Sequence, residues 1–182
     1  DVTAASAMMQ GLWFAPPSIV QTQGLTVVVP AHDCATYLPA CLETLLATPA
    51  VAQLVVVDDG SNDGSDPLIT RLATAYPDRL DHVTVLRASG LPALARNLGL
   101  CCVNMPAVGF VDGDDWVDPK NYQKLWEHMQ TTGADIVSAS GFYEHGSGRV
   151  LEQTIQYNTR PEASAAAVLG STFFSSVWNR IY

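Results

Sequence analysis

Basic residues are scarce in this chain: nine Lys and Arg stand against eighteen Asp and Glu, a formal charge of -9 over 182 residues. That balance argues against a surface that binds nucleic acid by displacing counterions from phosphates. A phosphate-bearing ligand would meet a repulsive overall field, so it must be held locally by a metal ion, by helix N-termini or by a well-placed Arg. Long apolar runs are missing too. No segment reaches the roughly 18 to 20 consecutive apolar residues of a membrane span, and Asp1-Val2-Thr3-Ala4 lacks a basic n-region, so the chain as given is expected to be soluble. Cys34, Cys41, Cys101 and Cys102 form no CxxC pair and no zinc-ligand pattern, and they are expected to be reduced thiols packing the core in a reducing compartment. His32, His82, His128 and His145 show no HxxxH or HExxH spacing. The absence of GxGxxG, Walker and GxSxG motifs removes the geometry that dehydrogenase, P-loop and hydrolase readings need.

What is present is enough apolar material for a full core, 48% of residues against 15% charged, at a length that suits one domain. Residues 1–24 mix Ala, Ser, Gln and Pro around Met8-Met9 and Leu12-Trp13-Phe14 without a sustained period and read as an N-terminal arm. From Leu25 the pattern turns regular. Strands are expected at Leu25 to Val29, Leu54 to Val57, Val83 to Leu86, Val108 to Val111 and Ile136 to Ser138, the first two reading as strands buried on both faces. Between them, helical spacing predicts helices from Leu38 to Leu46, Pro67 to Tyr76, Pro92 to about Cys102 and Pro119 to Thr131, the last stopped at Gly133. Strands alternating with helices imply an α/β fold, three layers around a mostly parallel sheet with right-handed crossovers, and ligands then bind beyond the carboxyl ends of the strands. After Ser140 the signals weaken, with a strand at Val150 to Ile155 and an Ala-rich helix at Pro161 to Leu169 as the readable elements. The apolar, aromatic run Phe173 to Tyr182 looks like a surface wanting a partner layer.

The polar residues obey the strand-end rule. Pro30-Ala31-His32-Asp33, Asp58-Asp59 and Asp112-Gly113-Asp114-Asp115 each follow the last apolar residues of an expected strand. Carboxylates held side by side repel unless a cation lies between them, and hard oxygen donors without His or Cys point to Mg²⁺ or Mn²⁺ rather than zinc. The competing reading is an acidic loop leading into the Pro119 helix with Asp118 as its N-cap, which accounts for Asp118 but not for Asp112 or Asp114. At the second strand end, a carboxylate can accept hydrogen bonds from a base edge or from ribose hydroxyls. An Asx-turn, with Asp59 bonding its own backbone, explains the same residues. Arg96, near the front of a helix whose apolar members are Leu91, Leu94, Leu98 and Cys101 or Cys102, can clamp the acids or meet a diphosphate; a plain surface Arg is the other reading.

In order, Thr26-Val27-Val28-Val29-Pro30-Ala31-His32-Asp33, then Val55-Val56-Val57-Asp58-Asp59-Gly60-Ser61-Asn62-Asp63-Gly64-Ser65, then Gly90 to Gly99 with Ala95-Arg96-Asn97, then Gly109-Phe110-Val111-Asp112-Gly113-Asp114-Asp115 resemble the motifs of family 2 glycosyltransferases of the GT-A fold. The resemblance is close over residues 25–140. Val177-Trp178-Asn179-Arg180-Ile181-Tyr182 is similar to a later family segment that more often carries Lys at position 180. The resemblance implies that residues 25–140 form a nucleotide-sugar-binding half and residues 141–182 begin an acceptor-side half. It implies that Pro30, Ala31 and Asp33 border the nucleotide and Asp59 holds the base. Asp112 and Asp114 would form a DxD motif around Mn²⁺ or Mg²⁺ and the donor, with Asp115 a substitute ligand, and Arg96 would lie near the donor phosphates or brace the acids.

An inverting member of that family needs an Asp or Glu as general base, often in a Glu-Asp motif beyond the Trp178-like segment. Asp135, Glu144 and Glu152 match no such motif, so the base is expected outside these residues. The implied activity is transfer of a sugar from a nucleotide diphosphate, UDP foremost, to a glycan or cell-surface polymer. The implied setting is cytoplasmic, with peripheral association at the cytosolic face of a membrane through further segments allowed. A noncatalytic nucleotide-sugar-binding module and a nucleotidyltransferase of similar layering stand as the alternatives, although Pro30-Ala31-His32-Asp33 is not the Gly-rich phosphate loop the latter would use.

Overall fold

The computed structural model describes residues 23–139, 141–144, 149–152 and 180–182. The expected arm thus lies outside the described residues except for its last two, and the expected helix at 161–169 lies wholly outside them. The described elements run in the order β1 (Leu25–Ala31), α1 (Leu38–Leu46), β2 (Val51–Asp58), α2 (Ser65–Ala75), β3 (Leu80–Thr84), α3 (Pro92–Leu100), β4 (Ala107–Phe110), α4 (Pro119–Thr132), β5 (Val137–Ser138), β6 (Gly141–Glu144), β7 (Arg149–Glu152) and β8 (Arg180–Ile181). One sheet has the order β3-β2-β1-β4-β8-β5, while β6 and β7 pair separately as an antiparallel hairpin. β1 pairs in parallel with both β2 and β4, and β2 in parallel with β3, so the expected mostly parallel sheet is what the chain forms.

The uniform hydrophobicity of the strands follows from burial on both faces. Val27 and Val29 of β1, with Leu54 and Val56 of β2, face Leu38, Cys41, Leu42 and Leu45 of α1, Ile69 of α2 and Tyr122 of α4. Val28, Val55, Val57 and Phe110 point the other way, to Ala95 and Leu98 of α3. Helices on both faces of a parallel sheet are the three-layer arrangement that βαβ crossovers build.

Several boundaries differ from the periodicity reading. The third strand begins at Leu80, not Val83, because Leu80 pairs opposite Leu54 and is 4% exposed, whereas Leu86 is 96% exposed. An edge strand carries a weaker apolar signal, and the apolar pair Val85-Leu86 lies past the pairing. α3 does not bury a leucine stripe. Its fully buried members are Ala95 and Gly99, Leu91 and Leu100 are exposed, and Cys101, expected in the core, is exposed as well. A Cβ at Gly99 would lie far inside van der Waals contact of Val28 Cγ1. Small residues at this face let α3 settle directly on β1. Of the apolar run from Phe173 to Tyr182, only residues 180–182 are described, and there Tyr182 exchanges backbone hydrogen bonds with Val108 at 2.8 Å in each direction and Ile181 is fully buried. Tyr182 meets Phe110 edge-on, with ring centroids 6.2 Å apart.

At the remaining helix boundary the sequence signals hold. Asp118 caps α4 by accepting from Asn121 N at 2.8 Å, and Gly133 ends the helix at φ 66°, a left-handed conformation glycine adopts without strain. Gly99→Ala would gain helix propensity but force apart a stiff β-branched contact. We expect the overpacking to win, with a loss of about 1–3 kcal/mol in denaturant unfolding. Val28→Ala in the same molecule should return part of that loss, and strictly additive losses would show that the α3–β1 contact is not the cause.

Candidate functional site

The sheet grows from β1 to β2 and β3 on one side and from β1 to β4 on the other, so the direction of the chain reverses at β1. β1 and β4 are parallel neighbours whose onward connections lead to opposite sides, toward β2 and toward β5, and this opens a crevice beyond their carboxyl ends. A cleft of about 420 Å³ lies there. Pro30, Ala31, His32, Asp33 and Cys34 line it from the end of β1, Asp59 from β2, Gly90, Leu91, Pro92, Ala95 and Arg96 from α3 and its approach, and Asp112, Gly113 and Asp114 from the loop after β4. Pro30, Ala31, Asp33, Asp59, Arg96, Asp112 and Asp114 therefore border one cavity together with His32, whereas Asp115, the substitute ligand, is not among its lining residues.

The loop after β4 is tied to β1 through its backbone. Val111 N donates to Val28 O at 3.2 Å and Gly113 N to Pro30 O at 3.1 Å, which carries the ladder past the end of the strand. A Cβ on Gly113 would stand 2.9 Å from Cys34 Sγ and 3.1 Å from Pro30 O, so the position between the two acids has room for glycine alone. Beneath it the Cys41 thiol donates to Asp112 O at 3.6 Å, and burial pushes that thiol well above its ordinary range, leaving it a protonated donor.

Arg96 answers the question of what lies among the carboxylates. Its Nη2 is 2.6 Å from Asp112 Oδ1, a part-buried ion pair between α3 and the β4 loop. Its Nε is buried without a hydrogen-bond partner, so the guanidinium has donor capacity that the protein leaves unused. Asp115 is held above the usual carboxylate range, first by desolvation and then by the charges of Asp114 and Asp112. One guanidinium does not neutralise three acids.

The two acids at the end of β2 have separate tasks. Asp58 makes the Asx-turn, accepting from Ser61 N at 3.1 Å and from the Ser61 hydroxyl. Asp59 does not bond its own turn. Its Oδ1 accepts from Ser89 N at 2.9 Å and its Oδ2 from Ser89 Oγ at 2.7 Å, across the cleft wall from the β3–α3 loop. Ser89 was missed in the sequence, where it stands as an isolated small residue before a glycine. His32 Nδ1 lies 2.8 Å from Asp59 O, which requires the proton on Nδ1. Asp33 adopts φ 48°, and its Oδ1 accepts from Asn62 N at 2.7 Å while its own N donates to Ser61 Oγ at 3.0 Å. Asp63 extends the same lacing, accepting from Ala35 N at 2.7 Å and from Ser65 Oγ at 2.6 Å, and the Ser65 hydroxyl holds its carboxyl below the usual range. Asp33 thus braces the β1 and β2 loops against each other as well as lining the cleft.

Among the described residues no group of three or more His, Cys, Asp or Glu side chains is placed to hold a metal ion. The donors that face the cleft, Asp112 and Asp114, are carboxylates, which suits a hard cation. Mg²⁺ in such sites is bound by one or two carboxylates and completes its shell with water and substrate phosphates. Two acids on this loop fit that pattern, though not a metal caged by protein alone. Among the described residues no helix is long and apolar enough to cross a membrane.

A family model described as "Glycosyl transferase family 2" matches residues 26–180. The chain is 32% identical over 127 residues to the uncharacterized glycosyltransferase EpsJ of Bacillus subtilis, a match spanning 69% of this chain and 36% of that protein. It is 31% identical over 122 residues to the succinoglycan biosynthesis protein ExoO of Rhizobium meliloti, spanning 66% of this chain and 34% of that one. The chain thus spans about a third of the length of these curated relatives. Among solved structures it is similar to S. aureus TarS 1–349 in complex with UDP-GlcNAc, at a TM-score of 0.69 and 21% identity, with 88% of this chain and 45% of that one covered. At that identity the likeness speaks for the fold, which is α/β of the GT-A, Rossmann-like kind.

The ion pair generates a prediction about the free cleft. Arg96→Gln removes the one positive charge on Asp112, so Mn²⁺ titrated into the nucleotide-free protein and followed by its paramagnetic signal should bind several-fold more tightly than to the unchanged protein. Equal affinities would mean that Arg96 does not restrain the loop acids electrostatically.

Proposed function

The chain belongs to glycosyl transferase family 2, and from that premise we propose that its cleft binds the nucleotide-diphosphate part of a sugar donor, UDP-sugar foremost, for transfer to a glycan or cell-surface polymer. The observation that carries the reading is convergence. Residues from four separate strand ends and helix starts, Pro30, Ala31, Asp33, Asp59, Arg96, Asp112 and Asp114, meet at the point where the sheet reverses. An interaction scaffold would have no use for that gathering of acids.

In this reading Asp59 accepts a hydrogen bond from the base. Pro30 and Ala31 form the floor against which the nucleoside lies, and Asp33 holds the neighbouring loops in place. The first turn of α3, entered without a side-chain cap at Leu91, presents uncapped N–H groups to the diphosphate, with Arg96 lining the cleft beside them. Asp112 and Asp114 would hold Mn²⁺ or Mg²⁺, with Asp115 in reserve. When bound, such an ion supplies electrostatic stabilisation to the diphosphate leaving group. Arg96 and Asp112 then have alternative partners, the guanidinium meeting phosphate oxygens when its carboxylate is otherwise engaged. An inverting course calls for a carboxylate general base on the acceptor side, and we place it outside residues 1–182. The enzyme would work on the cytosolic side, with any contact to a membrane made by other segments.

Calorimetric titration of UDP and then GDP, each with Mn²⁺ and with EDTA, tests the donor site. The expected result is binding that needs the metal and prefers UDP. Asp114→Asn should abolish the metal-dependent part while leaving the circular-dichroism spectrum and melting temperature unchanged. Full metal-dependent binding in that variant would remove the metal role of the loop, and metal-dependent binding without transfer or donor hydrolysis by the whole protein would favour a noncatalytic binding module.

A further inference from the structure

We propose that Ser89 is a positioning residue for base recognition, fixing the Asp59 carboxylate as a two-oxygen acceptor aimed into the cleft. The inference rests on the reading that the cleft takes a nucleotide. Asp59 is 5% exposed, and a carboxylate so buried needs donors on its oxygens. Both come from one residue. Ser89 N reaches Oδ1 at 2.9 Å and Ser89 Oγ reaches Oδ2 at 2.7 Å, so neither oxygen can turn without losing a bond. The hydroxyl is itself held, because Leu91 N donates to Ser89 Oγ at 3.1 Å. A chain of hydrogen bonds therefore runs from the start of α3 through Ser89 to Asp59.

The backbone is built to bring Ser89 there. Gly60, the residue after Asp59, sits at φ 68°, and a Cβ on it would run into Ala88 N and lie 2.9 Å from Arg87 C. Glycine at this position lets the 87–89 backbone dock against the end of β2. Gly90, at φ 66°, then turns the chain so that Leu91 and Pro92 return to line the cleft.

The consequence for specificity follows from lone-pair arithmetic. Each oxygen of an ionised carboxylate has about two acceptor sites, and Ser89 fills one on each. What remains accepts and cannot donate. A ring N–H, such as the imide of uracil, is complementary to it, whereas the ring nitrogen of cytosine at the same place presents a lone pair and is repelled. Were the carboxylate free to rotate, the penalty against cytosine would soften, because the group could turn away.

The test is the affinity of UDP and CDP, with Mn²⁺ present, for the unchanged protein, Ser89→Ala, Ser89→Thr, Asp59→Ala and the double variant. Ser89→Ala should weaken UDP about tenfold, the size of one hydrogen bond to a charged group, and narrow the UDP-to-CDP ratio. Ser89→Thr keeps the hydroxyl and should recover most of both. In the Asp59→Ala background, Ser89→Ala should change nothing further. A loss that is equal for the two nucleotides, or that adds fully to Asp59→Ala, would be the mark of a merely structural serine and overturns the proposal. If Asp59→Ala weakens UDP and Ser89→Ala does not, the positioning role fails while the base-reading role of Asp59 stands. If Asp59→Ala is without effect, or the unchanged protein binds neither nucleotide, both fall.

Discussion

The closeness of α3 to β1 sets the geometry of everything in the cleft. With Gly99 and Ala95 as its buried face, the helix lies against Val28 with no layer of large side chains between. A helix held further off by leucines could not put a guanidinium 2.6 Å from Asp112, nor start where Leu91 reaches Ser89. Its N-terminal half thus serves the acids of two different strands, Asp59 through Ser89 and Asp112 through Arg96. The cost is a site without slack. Side chains this tightly approached have no flexible neighbour to give way, since Val28 is stiff about χ1.

The electrostatic arrangement follows the same economy. In a chain with twice as many acids as bases, the loop after β4 concentrates carboxylates and leaves one Arg to balance them. That balance is partial, because the guanidinium pairs with Asp112 alone among the three loop acids Asp112, Asp114 and Asp115. A partly compensated cluster at the mouth of a cleft is poised to accept further positive charge, and in the proposed function a cation accompanying the donor would bring it. A diphosphate alone would face repulsion from the same acids.

The sequence carries the strand-end acids plainly because each follows closely on a short apolar run that forms a buried strand, so strand and site announce each other. Asp59 and Asp112 were legible for that reason. The division of work between Asp58 and Asp59 was not, since adjacent acids before a glycine look alike until the neighbouring loop is in place. Ser89 left no signal because its importance comes from a contact thirty residues back in the chain, with Asp59. The face of α3 was misread because burial by small residues at a close approach has no hydrophobic period to detect. The third strand was misplaced because edge pairing with β2 is set by register, which runs from Leu80 to Thr84 and leaves Leu86 exposed. Family resemblance, in turn, located the cleft but said nothing of the hydrogen bonds within its wall.

The antiparallel insertion of β8 between β4 and β5 has a bearing on how the molecule is assembled. β1 through β4 pair in the order β3-β2-β1-β4, each parallel to its neighbour, and can form a parallel core as soon as Phe110 has emerged during synthesis. β5 is different, because its ladder partner among the described residues is β8, which joins Val137 to Ile181. Until the chain has run on to Ile181, β5 has no strand to pair with, and the open edge of β4 stays exposed beside it. Non-local pairing of that kind closes late and slowly. The cleft side of the sheet is therefore complete before its far edge is sealed, and a ribosome pausing between these two points would display a finished cleft on an unfinished sheet.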